Sequence, residues 1–350
     1  MENYRKDIVW IDWIKTIGMF FVYWCHIGMF GTNKSGLYVP YGFFFVNAFF
    51  FISGYLVFKK YYLPSDQDNY FIKNQLNREG WLPSIFYKIA IPTVIFNIIE
   101  YIPKTIIDGD GISISGFLFD TVLRGTNWFT GALCISELLL FSLFVFLRKK
   151  SIWLFLMVSI PFFLLGNYLS KIQFVIWKDP AFPWFYTSGL MGLLFLVIGG
   201  VFYNYEHRID RLMSHLGGSI FGVVLFVLFC ILATIEPFRH ATSSALFGYN
   251  APGLFLSLLS IFALILIFKM FPLVKAIKYI SRHSIGFFFL SAPLPFVWCK
   301  IIEHFLPTGM FSFYIGVIGA FCTAWLFVYI MNRYMPFLFD LRCITINKKQ

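Results

Sequence analysis

Charge is scarce in this sequence: only 13% of its 350 residues are Asp, Glu, Lys or Arg, about half the share usual in soluble domains. Too few polar side chains are present to coat a water-soluble fold of this length, which excludes a soluble enzyme. Of the charged residues the acidic ones are fewer, 17 against 28 Lys and Arg, for a net charge of +11. In a soluble chain that balance would point to nucleic acid. Here it accompanies 59% hydrophobic residues and 47 Phe, so a nucleic-acid module is excluded too. Cysteine is sparse and scattered: Cys25, Cys134, Cys230, Cys299, Cys322 and Cys343 show no CxxC spacing, and five lie inside apolar stretches. That rules against a disulfide scaffold or a cysteine metal centre and for small apolar fillers; no metal is expected. Neither a signal peptide, an internal repeat nor a long soluble loop is evident. The first apolar stretch carries Asp12 and Lys15 and lacks a small-residue cleavage site, so it is expected to stay as a span.

What the sequence has in abundance is apolar runs of membrane-crossing length. They predict an all-α, polytopic transmembrane bundle of about ten spans, at 8–30, 40–58, 86–102, 127–147, 152–170, 184–203, 217–235, 252–268, 284–302 and 312–332. Each is bounded by charge, Pro, Gly or Asn clusters, and Pro161, Gly166 and Gly189 interrupt the fifth and sixth. Ten spans of about 21 residues use roughly 210 positions, which leaves no room for a second folded domain. Residues 1–332 are therefore expected to form one transmembrane domain, followed by a short basic tail, 333–350. Lys and Arg in alternate loops number 20 on one side and 7 on the other. Cationic loops are retained in the cytoplasm, so both termini are expected there. Trp10, Trp13, Trp128, Trp177, Trp184 and Trp298 lie near proposed span ends, as an aromatic belt at the lipid interface would.

Ionisable side chains inside a span are costly and face a bundle interior or water. The first span holds Asp12, Lys15 and His26. The step from Lys15 to His26 turns about 1100°, three turns and a little more, so both share one helix face about 16 Å apart. Asp12 lies three residues before Lys15, where an ion pair can form. Two readings stand for these residues: a snorkelling pair and a hydrogen-bonded histidine, or a proton acceptor with its charged partners, since only imidazole has an unperturbed pKa near neutrality. Glu137 is the other carboxylate in mid-span, either packed with a polar partner or walling a site; Glu100 reads as interfacial. Ser53 is a potential nucleophile, but its setting, "ISGY", more simply permits close helix packing. Cys25 points about 100° away from His26. His207, His215, His240, His283 and His304 fall in loops or at span ends.

Asp12-x2-Lys15-x10-His26, within "WIDWIKTIGMFFVYWCHIGMF", resembles the first-span signature of acyltransferase family 3, integral membrane acyltransferases of about ten spans. The resemblance continues in order along the chain: Phe50, Phe51, Ser53 and Gly54 of the second span, Lys88 and Pro92 at the third, Trp128 and Phe129 opening the fourth, and "YISRHSIGFFFL" opening the ninth. Two departures stand out. Where the family often has an Arg-x2-Arg pair before the third span, only Lys88 is in register, with Ile85 three residues earlier. Where many members have a His seven residues after the ninth-span Ser, here Ser284, this chain has Ser291.

The resemblance implies O-acyl transfer, usually acetyl, from cytoplasmic acetyl-CoA as co-substrate to a hydroxyl of a cell-surface polysaccharide or lipid-linked glycan. It also implies a multi-pass protein of the bacterial plasma membrane, with lipids and no nucleic acid as further partners. His26 would be the base for hydroxyl attack, Lys15 would orient the donor or stabilise developing charge, and Asp12 would hold Lys15. Lys88, Ser53, Trp128 and Glu137 would contact substrate. The rival from another class is a transporter or flippase of a lipid-linked oligosaccharide or small solute, which predicts paired broken helices in repeated halves. A glycan polymerase would carry a long external loop with Arg pairs, whereas the longest expected external loop, 103–126, has only Lys104 and Arg124.

Overall fold

The computed structural model describes residues 8–30, 42–62, 80–108, 113–125, 127–147, 150–177, 183–212, 215–241, 243–244, 248–307 and 309–342. Among these the chain is almost entirely helical. In chain order, α1 is Val9–Phe30, α2 Gly42–Tyr61 and α3 Trp81–Ile85, which runs through a π-helical stretch, Phe86–Ala90, into α4, Ile91–Asp108. The short α5, Ile114–Leu118, ends in a second π-helical stretch, Phe119–Arg124. Then come α6 Trp128–Leu147, α7 Ile152–Trp177, α8 Tyr186–Leu212, α9 His215–Leu232 and α10 Ala251–Phe268. The last are α11 Lys275–Arg282, α12 Ser284–Phe289, α13 Pro293–Phe305 and α14 Met310–Tyr334. A two-residue ladder joins Ser243–Ser244 to Gly248–Tyr249.

Among the described residues six helical segments are long and apolar enough to cross a membrane: Trp81–Tyr101, Trp128–Leu147, Ile152–Gln173, Tyr186–Leu212, Ala251–Phe268 and Met310–Tyr334. Pro161 lies inside α7 without breaking it, and α8 runs through Gly189. The third expected span starts earlier than 86, because Trp81 opens its helix. Its π-helical stretch has a local cause. Pro92 has no N–H for the Lys88 carbonyl, and just before it the Ile91 N–H reaches back five residues to Phe86. The ninth expected span, 284–302, is not one helix. It divides into α12 and α13 around Leu290–Ala292, because Pro293 and Pro295 cannot supply backbone N–H groups there.

The chain forms two compact units. The first comprises Met1–Phe49, His207–Ser243 and Asn250–Met331. In it α1 packs on α10, α11, α12 and α13, and α9 packs on α10. Phe21 stacks on Phe45 at 4.5 Å, and Asn47 Nδ2 donates to Ser257 Oγ at 3.0 Å. The start of α10 is capped by the Asn250 side chain, which accepts from the Gly253 N–H at 2.9 Å. The second unit comprises Phe50–Glu206, Ser244–Tyr249 and Asn332–Gln350. There α2 and α8 cross at backbone contact. A Cβ on Gly54 would overlap the Leu196 carbonyl, and one on Gly199 would overlap the Phe51 carbonyl. Small residues let apolar helices approach this closely, where dispersion holds them without any help from water. Phe58, Phe144 and Phe155 complete this core.

The interfacial-belt reading fails for Trp10, which is buried. Trp13, Trp184 and Trp298 direct their ring N–H groups to the Pro272 carbonyl, the Val122 carbonyl and Thr323 Oγ1. These indoles hold segments together.

Candidate functional site

In the first unit the polar residues of α1 meet the broken ninth segment. Near the start of α1, Asp12 is buried and Lys15 is half-buried. Thr16 Oγ1 donates to the Ile277 carbonyl of α11 at 3.0 Å. Further along, Tyr23 Oη donates to the Phe287 carbonyl at 2.8 Å, and His26 Nδ1 bonds the Ser291 carbonyl.

The break explains why those carbonyls are available. In a continuous helix the Ser291 carbonyl would accept from the N–H of residue 295, which is proline. The Ser291 N–H turns instead to the Phe288 carbonyl at 3.0 Å, which releases the Phe287 carbonyl for Tyr23. Buried backbone oxygens need partners, all the more in an apolar bundle. Side chains of α1 supply them.

This contact fixes the histidine's chemistry. A carbonyl oxygen only accepts, so Nδ1 must carry the hydrogen, and in the neutral ring Nε2 keeps its lone pair. His26 is held in the tautomer that can take a proton at Nε2. Ser291, the position of the second departure noted above, is thus the residue whose main chain orients His26.

The second unit holds the other candidates. Ser53 Oγ donates to Glu137 Oε1 at 2.5 Å, and Trp81 Nε1 donates to Glu137 Oε2 at 3.3 Å. Both carboxylate oxygens therefore have donors, one from α2 and one from α3. Tyr61 stacks on Trp81 at 5.1 Å and steadies it. The Ser53 hydroxyl is engaged with Glu137, while its neighbour Gly54 makes the close helix crossing. Trp128, half-buried at the first position of α6, packs edge-on to Phe129.

Before α6 lies a polar group that sequence reasoning passed over. Asn97 Oδ1 accepts from the Asn127 backbone N–H and from Asn127 Nδ2 at 2.9 Å, while Asn97 Nδ2 donates to the Thr121 carbonyl. Glu100, read as interfacial, accepts from Asn127 Nδ2 at 3.5 Å. The signal was the spacing of Asn97 and Glu100, three apart on one helix face. Thr16 and Tyr23 were likewise missed, although Tyr23 stands three residues before His26.

Lys88, on the π-helical stretch, lies 3.8 Å from Asp340. Among the described residues no group of three His, Cys, Asp or Glu side chains gathers to hold a metal. Cys25, Cys134, Cys230, Cys299 and Cys322 are free thiols; Cys343 lies outside the described residues.

Apolar helices of spanning length with polar and ionisable side chains buried among them define an integral membrane protein with a chemical task. The family model for acyltransferase family 3, described as an acyltransferase domain, matches residues 8–329; the chain belongs to that family, which indicates acyltransferase activity. No curated protein and no solved structure matches it.

Proposed function

We propose that the protein is an O-acetyltransferase that carries an acetyl group from cytoplasmic acetyl-CoA to a hydroxyl of a cell-surface polysaccharide or lipid-linked glycan. Both termini lie in the cytoplasm in this reading, and the membrane is the bacterial plasma membrane. The cation bias of the loops supports that orientation. The observation that carries the reading is the bond from His26 Nδ1 to the Ser291 carbonyl, which leaves Nε2 as a positioned base.

In the proposed reaction the acceptor hydroxyl attacks the thioester carbonyl, and its proton passes to His26 Nε2. A C–O bond forms, the C–S bond breaks, and the departing CoA thiolate takes the proton back from the imidazolium. Lys15, about 16 Å from His26 along α1, orients the donor rather than contacting the reacting carbonyl, and Asp12 holds Lys15. Lys88, Ser53, Trp128 and Glu137 belong to substrate binding in the same proposal.

The test is CoA release by the full-length protein in lipid nanodiscs, supplied with acetyl-CoA and hydroxylated acceptors. Glutamine keeps hydrogen bonding without basicity, so His26→Gln should lower turnover by about 10²–10⁴. Release at the wild-type rate in this variant would remove His26 as the base. Mass spectrometry of surface glycans with and without the gene then identifies the acceptor.

The break between α12 and α13 favours one second reading, a flippase or carrier, since discontinuous helices form substrate sites in transporters. Glycan translocation without any CoA release would establish that reading instead.

A further inference from the structure

The residues that follow α14 were expected to form a short basic tail. Their described part, up to Arg342, packs within the second unit. Pro336–Leu338 makes a turn of 3₁₀-helix, the Asp340 N–H donates to the Pro336 carbonyl at 3.2 Å, and Phe339 stacks on Phe96 of α4 at 5.8 Å. Asp340 and Arg342 are thereby brought to Lys88. The Arg342 guanidinium grips the carboxylate with two N–H groups, Nε to Oδ1 at 2.9 Å and an Nη to Oδ2 at 2.8 Å. Lys88 Nζ approaches the same Oδ2 at 3.8 Å.

A carboxylate and a phosphate present the same pair of oxygens to a guanidinium fork. Two cations converging on the Asp340 carboxylate therefore outline a place for an oxyanion. Burial raises the Asp340 pKa, but the hydrogen bonds from Arg342 and the charges of Arg342 and Lys88 outweigh it, so the carboxyl sits below its usual range. The group is an anion at neutral pH. Lys88 keeps 41% of its side chain exposed. The arrangement also meets a gap in the sequence: Ile85 stands where a second cation was expected, and the fold brings Arg342 beside Lys88 from the other end of the chain.

We propose that Lys88 and Arg342 form a phosphate subsite for the acyl-CoA donor, completed by the C-terminal segment, with the Asp340 carboxylate holding the two cations until a phosphate displaces it. This rests on the acyl-CoA reading above. The Lys88–Arg342–Asp340 group carries one net positive charge as it stands. With Asp340 turned away, two positive charges face the phosphate.

The test is binding of CoA to full-length protein in nanodiscs, comparing wild type, Arg342→Ala and Asp340→Asn. Loss of one charge-assisted contact should weaken CoA binding about tenfold in Arg342→Ala. Asp340→Asn removes the competing anion and should tighten binding about threefold. The opposite signs are decisive, because either substitution loosens the C-terminal segment, and a merely structural role would weaken binding in both. Weakened binding in Asp340→Asn, or unchanged binding in Arg342→Ala, overturns the proposal while leaving the donor reading intact. No CoA binding by wild type overturns the donor reading and this subsite together. Nanodiscs with and without phosphatidylglycerol separate a lipid phosphate from that of CoA. If Arg342→Ala alters only the dependence on that lipid, the subsite belongs to lipid and the proposal falls.

Discussion

The two units of this protein use buried polar groups in opposite ways. In the first, side chains of α1 complete a main chain that prolines have interrupted: Tyr23 and His26 bond carbonyls that α12 and α13 cannot satisfy themselves. In the second, the backbones meet directly through Gly54 and Gly199, and polar side chains pair with one another, as Ser53 and Trp81 do with Glu137. The difference separates two kinds of buried ionisable residue. Glu137 has both of its oxygens engaged by donors. His26 uses one ring nitrogen as an anchor and retains the other for a proton. Burial alone would not have told them apart.

The comparison can be broken by substitution. The largest expected effect is the loss of turnover in His26→Gln given above, with folding and insertion retained. Gly54→Val should do the reverse. Its side chain would strike the Leu196 backbone, which cannot yield as a rotamer can, at a cost of about 3 kcal/mol. Thermal unfolding in nanodiscs should show a clear drop in Tm, with activity per folded molecule kept. An unchanged Tm would mean the α2–α8 crossing is looser than described.

Pro295→Ala tests the first unit more finely. It restores an N–H that competes with His26 for the Ser291 carbonyl, so turnover should fall on the order of tenfold as the ring loses its orientation. CoA affinity should stay the same. Full activity in this variant would show that His26 needs no main-chain anchor. Ser53→Ala leaves Glu137 Oε1 without its donor and should cost about 1–3 kcal/mol of stability, read as a lower Tm. No change in Tm would show that water or a neighbour replaces the hydroxyl.

The smallest expected effect depends on pH. A carboxyl whose pKa is depressed by folding adds stability above its unfolded value and loses it as pH falls through the folded one. For Asp340 that loss begins near pH 4, the ordinary aspartate value, and continues below it. Hydrogen exchange in residues 336–342 should therefore quicken below about pH 4 and stay flat from there to neutrality. Exchange that is indifferent to acid would separate this segment from its ion pairs.

Much of the helical layout was legible because apolar runs of spanning length have few other fates. The close-packing reading of "ISGY" followed from its small residues, and Gly54 does meet the Leu196 backbone. The broken ninth segment was not legible as a break, although Pro293 and Pro295 were in plain view. Its flanks are as apolar as any span, and the groups that make the break tolerable, Tyr23 and His26, lie more than 260 residues away in sequence. The partners of Glu137 were hidden for the same reason, since Ser53 precedes it by 84 residues. The contacts of Arg342 and Asp340 with Lys88 were not legible, because a charge count records how many cations there are and says nothing of which charges meet.

The anchoring of His26 has a consequence for inheritance. A side-chain acceptor ties the orientation of the base to one codon, and most changes there would be lost to selection. A carbonyl belongs to every amino acid, so the anchor of His26 at position 291 does not depend on the identity of the side chain there. The constraint moves to position 295, where only proline leaves the carbonyl unclaimed. A substitution at 295 is thus expected to disturb the base, whereas at 291 the limit is packing, since Ser291 is buried and its hydroxyl donates to the Phe288 carbonyl at 2.7 Å.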